Sequence, residues 1–256
     1  MKVVILAGGL GTRLSEETGN LPKPLVEIGG YPILWHIMKH FSHYGHNDFI
    51  ICTGYLGYKI KDYFNNFLLR QVDLTINLKD KSIDYHTDLS EPWRITLINT
   101  GPETQTGGRL KRISEYLGDD DFFFTYGDGV ANVDLDGLLE FHKETGKIAT
   151  VTAARPVGRF GSVSIDSDGS VSEFTEKQEG QRSWINAGYF VLKKEALTYI
   201  AGDDVSWEEG PLSELTIKNQ LSAFKHEGFW HAMDTLRDKN SLNKLWNDGL
   251  AEWKIW

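Results

Sequence analysis

A glycine-rich turn near the amino terminus carries two basic residues at a spacing that suits a polyphosphate. The apolar run at residues 3–7 ends in the sequence GGLGTR at residues 8–13. Backbone N–H groups in such a turn can approach an anion closely. Lys23 follows Arg13 after a short interval and stands between two prolines, which stiffen the backbone that carries it. These residues predict a loop that holds phosphate groups through N–H donors and two cations.

Two familiar anion-binding loops fail to match this turn. In the dinucleotide-binding pattern G-x-G-x-x-G, counted from Gly9, the last glycine would fall on Leu14. The P-loop requires Gly-Lys followed by Ser or Thr, and the chain has no such triplet. On spacing alone, a tight strand-to-helix turn with two solvated cations stays open as the alternative.

Two aspartates follow apolar segments and could hold a divalent cation. Asp128 comes shortly after the run FFFTY at 122–126, hence at the carboxyl end of an expected strand, where open parallel sheets bind ligands. Asp234 follows another aromatic segment. Two such carboxylates suit Mg²⁺, a hard ion that prefers oxygen ligands and phosphates. Taken alone, each aspartate could equally be a turn residue.

Histidines are dense between residues 36 and 46, but their pattern does not favour a metal site. His36 and His40 stand four residues apart, as in the zinc motif H-E-x-x-H. The residue after His36 is Ile37 instead of glutamate, and the stretch has the periodicity of an amphipathic helix. We therefore predict a helix face here and no zinc site.

Composition excludes several classes of protein. The chain has 256 residues, 40% of them hydrophobic, which is enough for one large domain and too little for two. The net charge is -9 with no basic face, which argues against nucleic acid and anionic membranes as partners. No run approaches the roughly 20 apolar residues of a membrane span. The one cysteine, Cys52, allows neither an internal disulfide nor a cysteine zinc site. We expect a soluble, cytoplasmic protein.

Short apolar runs alternate with helical patterns along the chain. The runs at 3–7, 49–53 and 122–126 are typical of strands buried on both faces. A helix is predicted from about Pro32. This alternation predicts an α/β fold with right-handed crossovers. Residues 72–106 alternate with period two, which predicts a small β excursion from the main sheet.

Four local patterns add further predictions. Residues 206–209 (SWEE) fit a capping box that opens a helix. The tryptophan-rich end, 242–256, is predicted to be helical, and its aromatic residues suit either an interface in a homo-oligomer or a cap on the core. Residues 103–108 are polar and predict a mobile loop that could close over substrate. The pair at 168–169 predicts a hairpin turn.

The segment at residues 6–13, together with Pro-Lys-Pro at 22–24, resembles the signature of sugar-1-phosphate nucleotidyltransferases. Three further segments, 106–112, 125–130 and 233–239, resemble the members of that family that use CTP and α-D-glucose 1-phosphate. The resemblance extends over nearly the whole chain. The resemblance implies a single α/β domain over 1–256, a Rossmann-like mixed sheet flanked by helices. It also implies formation of CDP-glucose and pyrophosphate with Mg²⁺, for CDP-dideoxysugars of surface polysaccharides such as O-antigen.

The resemblance also assigns roles to residues of this sequence. It implies that Arg13 and Lys23 are catalytic and that Asp128 and Asp234 bind the metal. Nucleotide binding is expected at Leu6, Ala7, Gly8, Gly9, Leu10, Gly11, Thr12, Arg13, Lys23, Thr104, Arg109 and Gly127. Sugar-phosphate binding is expected at Glu176, Lys177, Asn186 and Gly188. The chain departs from the family pattern at Gln178, where proline is common, and at Ala187, where glycine is common. Both departures leave the class of reaction unchanged, but they leave the identity of the sugar open.

Three other functions remain possible on the sequence. Nothing in a glycine-rich loop selects cytosine, so UTP or dTTP and another sugar phosphate are the nearest alternative. An NAD-linked oxidoreductase is disfavoured because the third glycine of its fingerprint is missing. A non-catalytic sugar-nucleotide sensor would bind nucleotide without turnover, although the charged residues for turnover are present.

Overall fold

The computed structural model describes residues 1–14, 19–86, 91–155, 162–165, 170–175 and 183–256. Its strands are Lys2–Ala7 (β1), Glu27–Ile28 (β2), Tyr31–Pro32 (β3), Asp48–Thr53 (β4), Leu74–Asn77 (β5), Ser82–Tyr85 (β6), Arg94–Asn99 (β7), Phe122–Tyr126 (β8), Gly129–Ala131 (β9), Ala149–Ala154 (β10), Ser162–Ile165 (β11), Val171–Thr175 (β12), Ile185–Leu192 (β13), Leu221–His226 (β14) and Trp230–Ala232 (β15). Its α-helices are Ile33–His43 (α1), Gly57–Asn65 (α2), Phe67–Gln71 (α3), Thr106–Arg112 (α4), Ser114–Leu117 (α5), Leu135–Thr145 (α6), Pro211–Ile217 (α7) and Leu236–Asn247 (α8). Short 3₁₀ helices span Thr12–Leu14, Lys23–Leu25 and Lys194–Tyr199.

A seven-stranded mixed sheet forms the centre of the fold, in the order β14-β10-β13-β8-β1-β4-β7. Strands β7, β4, β1 and β8 are mutually parallel, β13 runs antiparallel to both of its neighbours, and β14 is parallel to β10. The carboxyl ends of all strands but β13 therefore meet at one edge of the sheet. The fold class predicted from the sequence is confirmed.

Helices cover both faces of this sheet, which explains why its central strands are apolar without interruption. Along β1, Val3 and Ile5 pack into the core on one side, and Val4 and Leu6 pack into the core on the other. All four side chains are buried. Since both faces of such a strand are shielded from water, period-two alternation is not needed there.

The predicted β excursion over 72–106 is only partly present. Strands β5 and β6 pair as a separate antiparallel hairpin, as predicted. Strand β7, however, pairs in parallel with β4 and forms the edge of the main sheet. An edge strand is half exposed, so its side chains alternate in the same way as those of a detached hairpin.

Two helix predictions near the carboxyl terminus are wrong in their bounds. Residues 206–209 form turns, and α7 begins only at Pro211, with no side-chain cap at Gly210. A capping box occurs instead at Thr235 and Asp238, at the start of α8. Helix α8 ends at Asn247, so most of 242–256 is not helical. The hairpin turn predicted at 168–169 lies outside the described residues.

The tryptophans of the carboxyl-terminal segment cap the core around one buried histidine. The rings of Trp246, Trp253 and Trp256 lie 4.8, 6.2 and 6.2 Å from the imidazole of His36. Trp253 is buried, and its indole N–H donates to Nδ1 of His36 at 3.3 Å. No helix in the part of the chain that the structure describes is long and apolar enough to cross a bilayer.

His36 and His40 are buried and uncharged. Since Nδ1 of His36 accepts a hydrogen bond, its Nε2 donates to the carbonyl oxygen of Ile28 at 2.9 Å. Nε2 of His40 lies 2.8 Å from the carbonyl oxygen of Val133. Burial lowers the pKa of each imidazole from 6.5 to about 4, because a charged ring would lose its hydration. Both rings therefore serve the core and not a metal site.

These two histidines should make folding stability depend on acid pH. A lowered folded-state pKa gives stability that is fully present above pH 6.5 and is lost as the pH falls toward 4. Between pH 6.5 and 5 each histidine should cost about 2 kcal/mol of unfolding free energy at most. Denaturant unfolding at pH 7, 6 and 5 would measure the slope.

A matched pair of variants separates this effect from general acid sensitivity. His40→Gln keeps an N–H near Val133 and cannot titrate, so its stability should fall less steeply with acid. Asn65→Gln, a substitution at an exposed residue that adds and removes no titratable group, should keep the wild-type slope. Equal slopes for wild type and His40→Gln would contradict the assignment.

Candidate active site

The candidate site lies at the carboxyl edge of the sheet, between β1 and β8. The chain passes from β1 to β4 and β7 on one side, then returns to β8 on the other side of β1. This reversal of strand order opens a crevice beyond the strand ends, which is where open α/β sheets bind ligands. The N–H of Gly127 donates to the carbonyl oxygen of Leu6 at 2.9 Å, so the two loops are joined at the base of the crevice.

The glycine-rich turn after β1 needs its small residues. Gly8 is buried, and a Cβ there would lie 2.0 Å from Nη1 of Arg109. Gly11 has a φ of 64°, a left-handed conformation that favours glycine. Around Gly9, by contrast, a Cβ would meet no atom within 4 Å, because this residue borders open space. The turn thus packs closely on one side and faces the cleft on the other.

Lys23 lies between the two predicted metal ligands. Its Nζ donates to Oδ2 of Asp128 at 2.7 Å and to Oδ1 of Asp234 at 2.8 Å. The side chain of Lys23 is 11% exposed, and those of Asp128 and Asp234 are 36% and 23% exposed. One ammonium group therefore pairs with two partly buried carboxylates that converge on the same point and offsets half of their charge.

Pairing of two short strands explains why these aspartates meet across a large sequence separation. Asp128 directly precedes β9, and Asp234 comes two residues after the end of β15. The two strands are antiparallel, with Gly129 opposite Ala232, so both aspartates emerge at the same end. The N–H of Met233 also donates to the carbonyl oxygen of Asp128 at 2.8 Å.

The start of helix α8 holds Asp234 from the other side. Oδ2 of Asp238 accepts hydrogen bonds from the backbone N–H groups of Asp234 and Thr235, at 3.1 and 2.9 Å. Thr235 in turn caps the helix through its side chain. The capping box therefore fixes the backbone that carries a predicted metal ligand.

Arg109 is buried, and its guanidinium is already hydrogen-bonded to oxygen atoms of the protein. It is 4% exposed, and its Nη1 donates to the backbone oxygens of Thr53 and Gly101, at 3.3 and 2.8 Å. Its Nη2 donates to the carbonyl oxygens of Gly8 and Pro102, at 3.1 and 3.3 Å. The guanidinium thereby joins the loops that follow β1, β4 and β7. Nucleotide contact by Arg109 stays a prediction, and the structure adds this positioning role.

A cleft of about 420 Å³ brings most of the predicted residues together. Its lining includes residues 6–12, Lys23, Thr104, Arg109, Gly127, Asp128 and Asp234. Arg13 belongs to the 3₁₀ turn Thr12–Leu14 that ends the loop. All the residues to which the resemblance assigns nucleotide or metal binding thus line this cleft or lie next to it in the chain.

The sugar-phosphate side of the site is described only in part. Asn186 and Gly188 lie at the start of β13, which is at the same edge of the sheet because β13 is antiparallel. Oδ1 of Asn186 accepts the backbone N–H of Gly188 at 2.8 Å. The side chain of Ala187 is buried. Glu176 and Lys177, and the departure at Gln178, lie outside the described residues.

The structure adds cleft residues that the sequence did not single out. Pro102, Glu103, Gln105 and Thr106 form one wall together with the predicted Thr104, and Tyr126 lies at the base. The segment predicted to be a mobile loop is anchored: the N–H of Gln105 donates to Asp203 O at 2.8 Å, and that of Gly107 donates to Val205 O at 3.0 Å. The position of Tyr126 at the end of a buried strand was the available signal, since parallel strands end at the ligand edge.

Comparison with known proteins agrees with this geometry. The pattern of the nucleotidyl transferase family matches residues 2–248. The chain is 53% identical to a glucose-1-phosphate cytidylyltransferase of Salmonella typhi over 257 residues, covering all of both chains. It is 43% identical over the full length of both chains to a probable glucose-1-phosphate cytidylyltransferase of Bacillus subtilis (strain 168).

Solved structures share the fold at much lower identity. A putative glucose-1-phosphate thymidylyltransferase from Bacillus anthracis superimposes with a TM-score of 0.71 at 20% identity, over 97% of this chain and 96% of that one. On the match to the family pattern and the full-length identity to its members, this chain belongs to the nucleotidyl transferase family.

Proposed function

We propose that this protein is a glucose-1-phosphate cytidylyltransferase, which transfers the cytidylyl group of CTP to α-D-glucose 1-phosphate and releases pyrophosphate. The observation that carries the class of reaction is the convergence of the glycine-rich loop, Lys23 and two aspartates on one cleft. The choice of CTP and glucose 1-phosphate is supported by the relatives of that name, which align over the full chain.

The reaction is an in-line displacement between two anions. An oxygen of the sugar phosphate forms a bond to the α-phosphorus of CTP, and the bond from that phosphorus to the leaving pyrophosphate breaks. Charge repulsion and alignment dominate the barrier, so the protein must supply positive charge and fixed donors more than a base. The N–H groups of the loop and the cations Arg13 and Lys23 have this chemistry.

The donor set also suits Mg²⁺. Asp128 and Asp234 present oxygen atoms to the same point, 2.7 and 2.8 Å from a cationic nitrogen, so a cation is stable there. Among the described residues no cluster of three or more His, Cys, Asp or Glu side chains occurs. Magnesium commonly takes one or two carboxylates and completes its shell with phosphates and water. When bound, it would neutralise charge on the triphosphate.

We also propose that the product serves the synthesis of CDP-dideoxysugars of O-antigen, that the protein is cytoplasmic and that it forms a homo-oligomer. The nearest competing function is uridylyl or thymidylyl transfer to another sugar 1-phosphate, because a glycine-rich loop by itself does not select cytosine.

Pyrophosphate release should identify both the nucleotide and the role of Asp128. With Mg²⁺ and glucose 1-phosphate, CTP should outperform UTP, dTTP, ATP and GTP. Asp128→Asn should lower kcat/KM at least about 100-fold, because one charge that holds the metal and Lys23 is lost.

A matched control lies at the other end of the same strand. Asp120 is exposed just before β8, so Asp120→Asn changes the same charge far from the cleft and should leave activity unchanged. If another nucleotide were preferred, the assignment of CTP would be wrong, but the class of reaction would stand. Full activity of Asp128→Asn would reject the carboxylate role.

Lys23 should compete with a divalent cation in the nucleotide-free protein. Its ammonium group occupies the space between the carboxylates, and unit charges even about 4 Å apart interact by about 1–4 kcal/mol, the lower figure applying to exposed pairs. Lys23→Met should therefore bind Mn²⁺ about tenfold more tightly, as measured by electron paramagnetic resonance, while CTP turnover falls. Lys39→Met, which removes a lysine paired with Glu91 away from the cleft, is the control. Unchanged or weaker Mn²⁺ affinity of Lys23→Met would show that the two cations do not compete.

A further inference from the structure

One carboxylate beside the cleft gathers hydroxyl donors from three segments of the chain. Oε2 of Glu208 accepts hydrogen bonds from Thr106 Oγ1 at 2.6 Å and from Ser206 Oγ at 2.7 Å. Oε1 of Glu208 accepts a hydrogen bond from the hydroxyl of Tyr126. The residues 206–209 that resemble a capping box thus use their glutamate for a tertiary contact, because no helix starts there.

The contact with Thr106 fixes one wall of the cleft. Thr106 is the first residue of α4 and lines the cleft together with the segment before it. Its Oγ1 also accepts the backbone N–H of Trp207 at 2.9 Å, so the hydroxyl proton is directed at Glu208. Both hydrogen-bonding roles of this hydroxyl are therefore set by the segment that carries Glu208.

The contact with Tyr126 fixes the base of the cleft. A Cβ added at Gly188 would lie 2.7 Å from Cδ2 of Tyr126, so the start of β13 packs directly on the ring. Oδ1 of Asn186 accepts the backbone N–H of Gly188, so Asn186 belongs to the segment that packs on this ring. Burial, with the nearby carboxylate of Glu208, raises the pKa of Tyr126, which keeps the hydroxyl protonated as a donor. The contacts thus run from Thr106 through Glu208 and Tyr126 to the start of β13, which carries Asn186.

We propose that Glu208 is a positioning residue that couples the two halves of the cleft, holding Thr106 on the nucleotide side and Tyr126 with Asn186 on the sugar-phosphate side. This assignment of the two sides rests on the proposed function. A carboxylate suits the task because it only accepts hydrogen bonds and can serve several hydroxyl donors at once. A glutamine amide would instead point its NH₂ donor at one of these hydroxyls, and that hydroxyl would have to rotate in order to accept the hydrogen bond.

Replacement of Glu208 should affect both substrates together. In Glu208→Gln, the dissociation constant for CTP, measured by calorimetry without sugar phosphate, should rise about tenfold, which corresponds to roughly 1.4 kcal/mol. The KM for glucose 1-phosphate should rise by a similar factor, with a smaller change in kcat. Glu209→Gln removes the same charge from the exposed neighbouring residue and should match wild type. A purely structural role would lower the melting temperature and the active fraction, and would leave both constants unchanged.

The two arms of the network can be tested separately. Thr106→Val should mainly weaken CTP, and Tyr126→Phe should mainly raise the KM for glucose 1-phosphate. Their combined effect should be non-additive while Glu208 is present and additive in the Glu208→Gln background, because Glu208 bonds both hydroxyls. The cycle still tests the coupling if Glu208→Gln folds poorly. In that case, additive effects of Thr106→Val and Tyr126→Phe in the presence of Glu208 would overturn the coupling.

The outcomes also separate this inference from the proposed function. If wild type forms CDP-glucose and Glu208→Gln keeps wild-type constants for either substrate, the coupling is wrong and the function stands. If wild type neither binds CTP nor releases pyrophosphate with any nucleotide, both are overturned.

Discussion

Charge balance between one ammonium group and two carboxylates is the constraint on which the site depends. Lys23 reaches Asp128 and Asp234 at once, and each of the three is only partly exposed to water. Removing one partner of such a group leaves charge that the others do not neutralise. The loops carrying them must therefore be placed accurately, and the antiparallel pairing of β9 with β15 and the cap of α8 provide that accuracy.

The loops around this centre are held by backbone contacts, which explains how a turn of small residues keeps its shape. Arg109 suits this role better than lysine would, because a planar guanidinium offers several donors in fixed directions. It joins Gly8, at the start of the glycine-rich turn, to Gly101 and Pro102 on the opposite wall. The turn itself has no bulky side chain to anchor it, so an arginine from a neighbouring helix supplies the anchor.

The sequence predicted the features that depend on local order. The buried run of β1, the glycine-rich turn and the aspartate after β8 follow from patterns of a few residues, and the structure places them as expected. Glu208 was misread because a serine followed shortly by glutamates is the same local pattern whether a helix follows or not. The partners of Arg109 could not be predicted either, since they are mostly backbone oxygens, brought together by the order of the strands. Likewise, β7 resembles a detached strand until its pairing with β4 is known.

Lys23 and Arg109, both at the cleft, have different roles, and this difference bears on how an anionic substrate can bind to a chain with a net charge of -9. Arg109 gives most of its hydrogen bonds to carbonyl oxygens and shapes the cleft, whereas Lys23 is paired with carboxylates that a metal ion would also suit. Without metal, the local charge of Lys23 with its two aspartates sums to about -1, which disfavours a triphosphate. A divalent cation would change that sum to about +1. If Mg²⁺ binds as proposed, the loop N–H groups would supply directed hydrogen bonds to the phosphates, and the metal would supply positive charge.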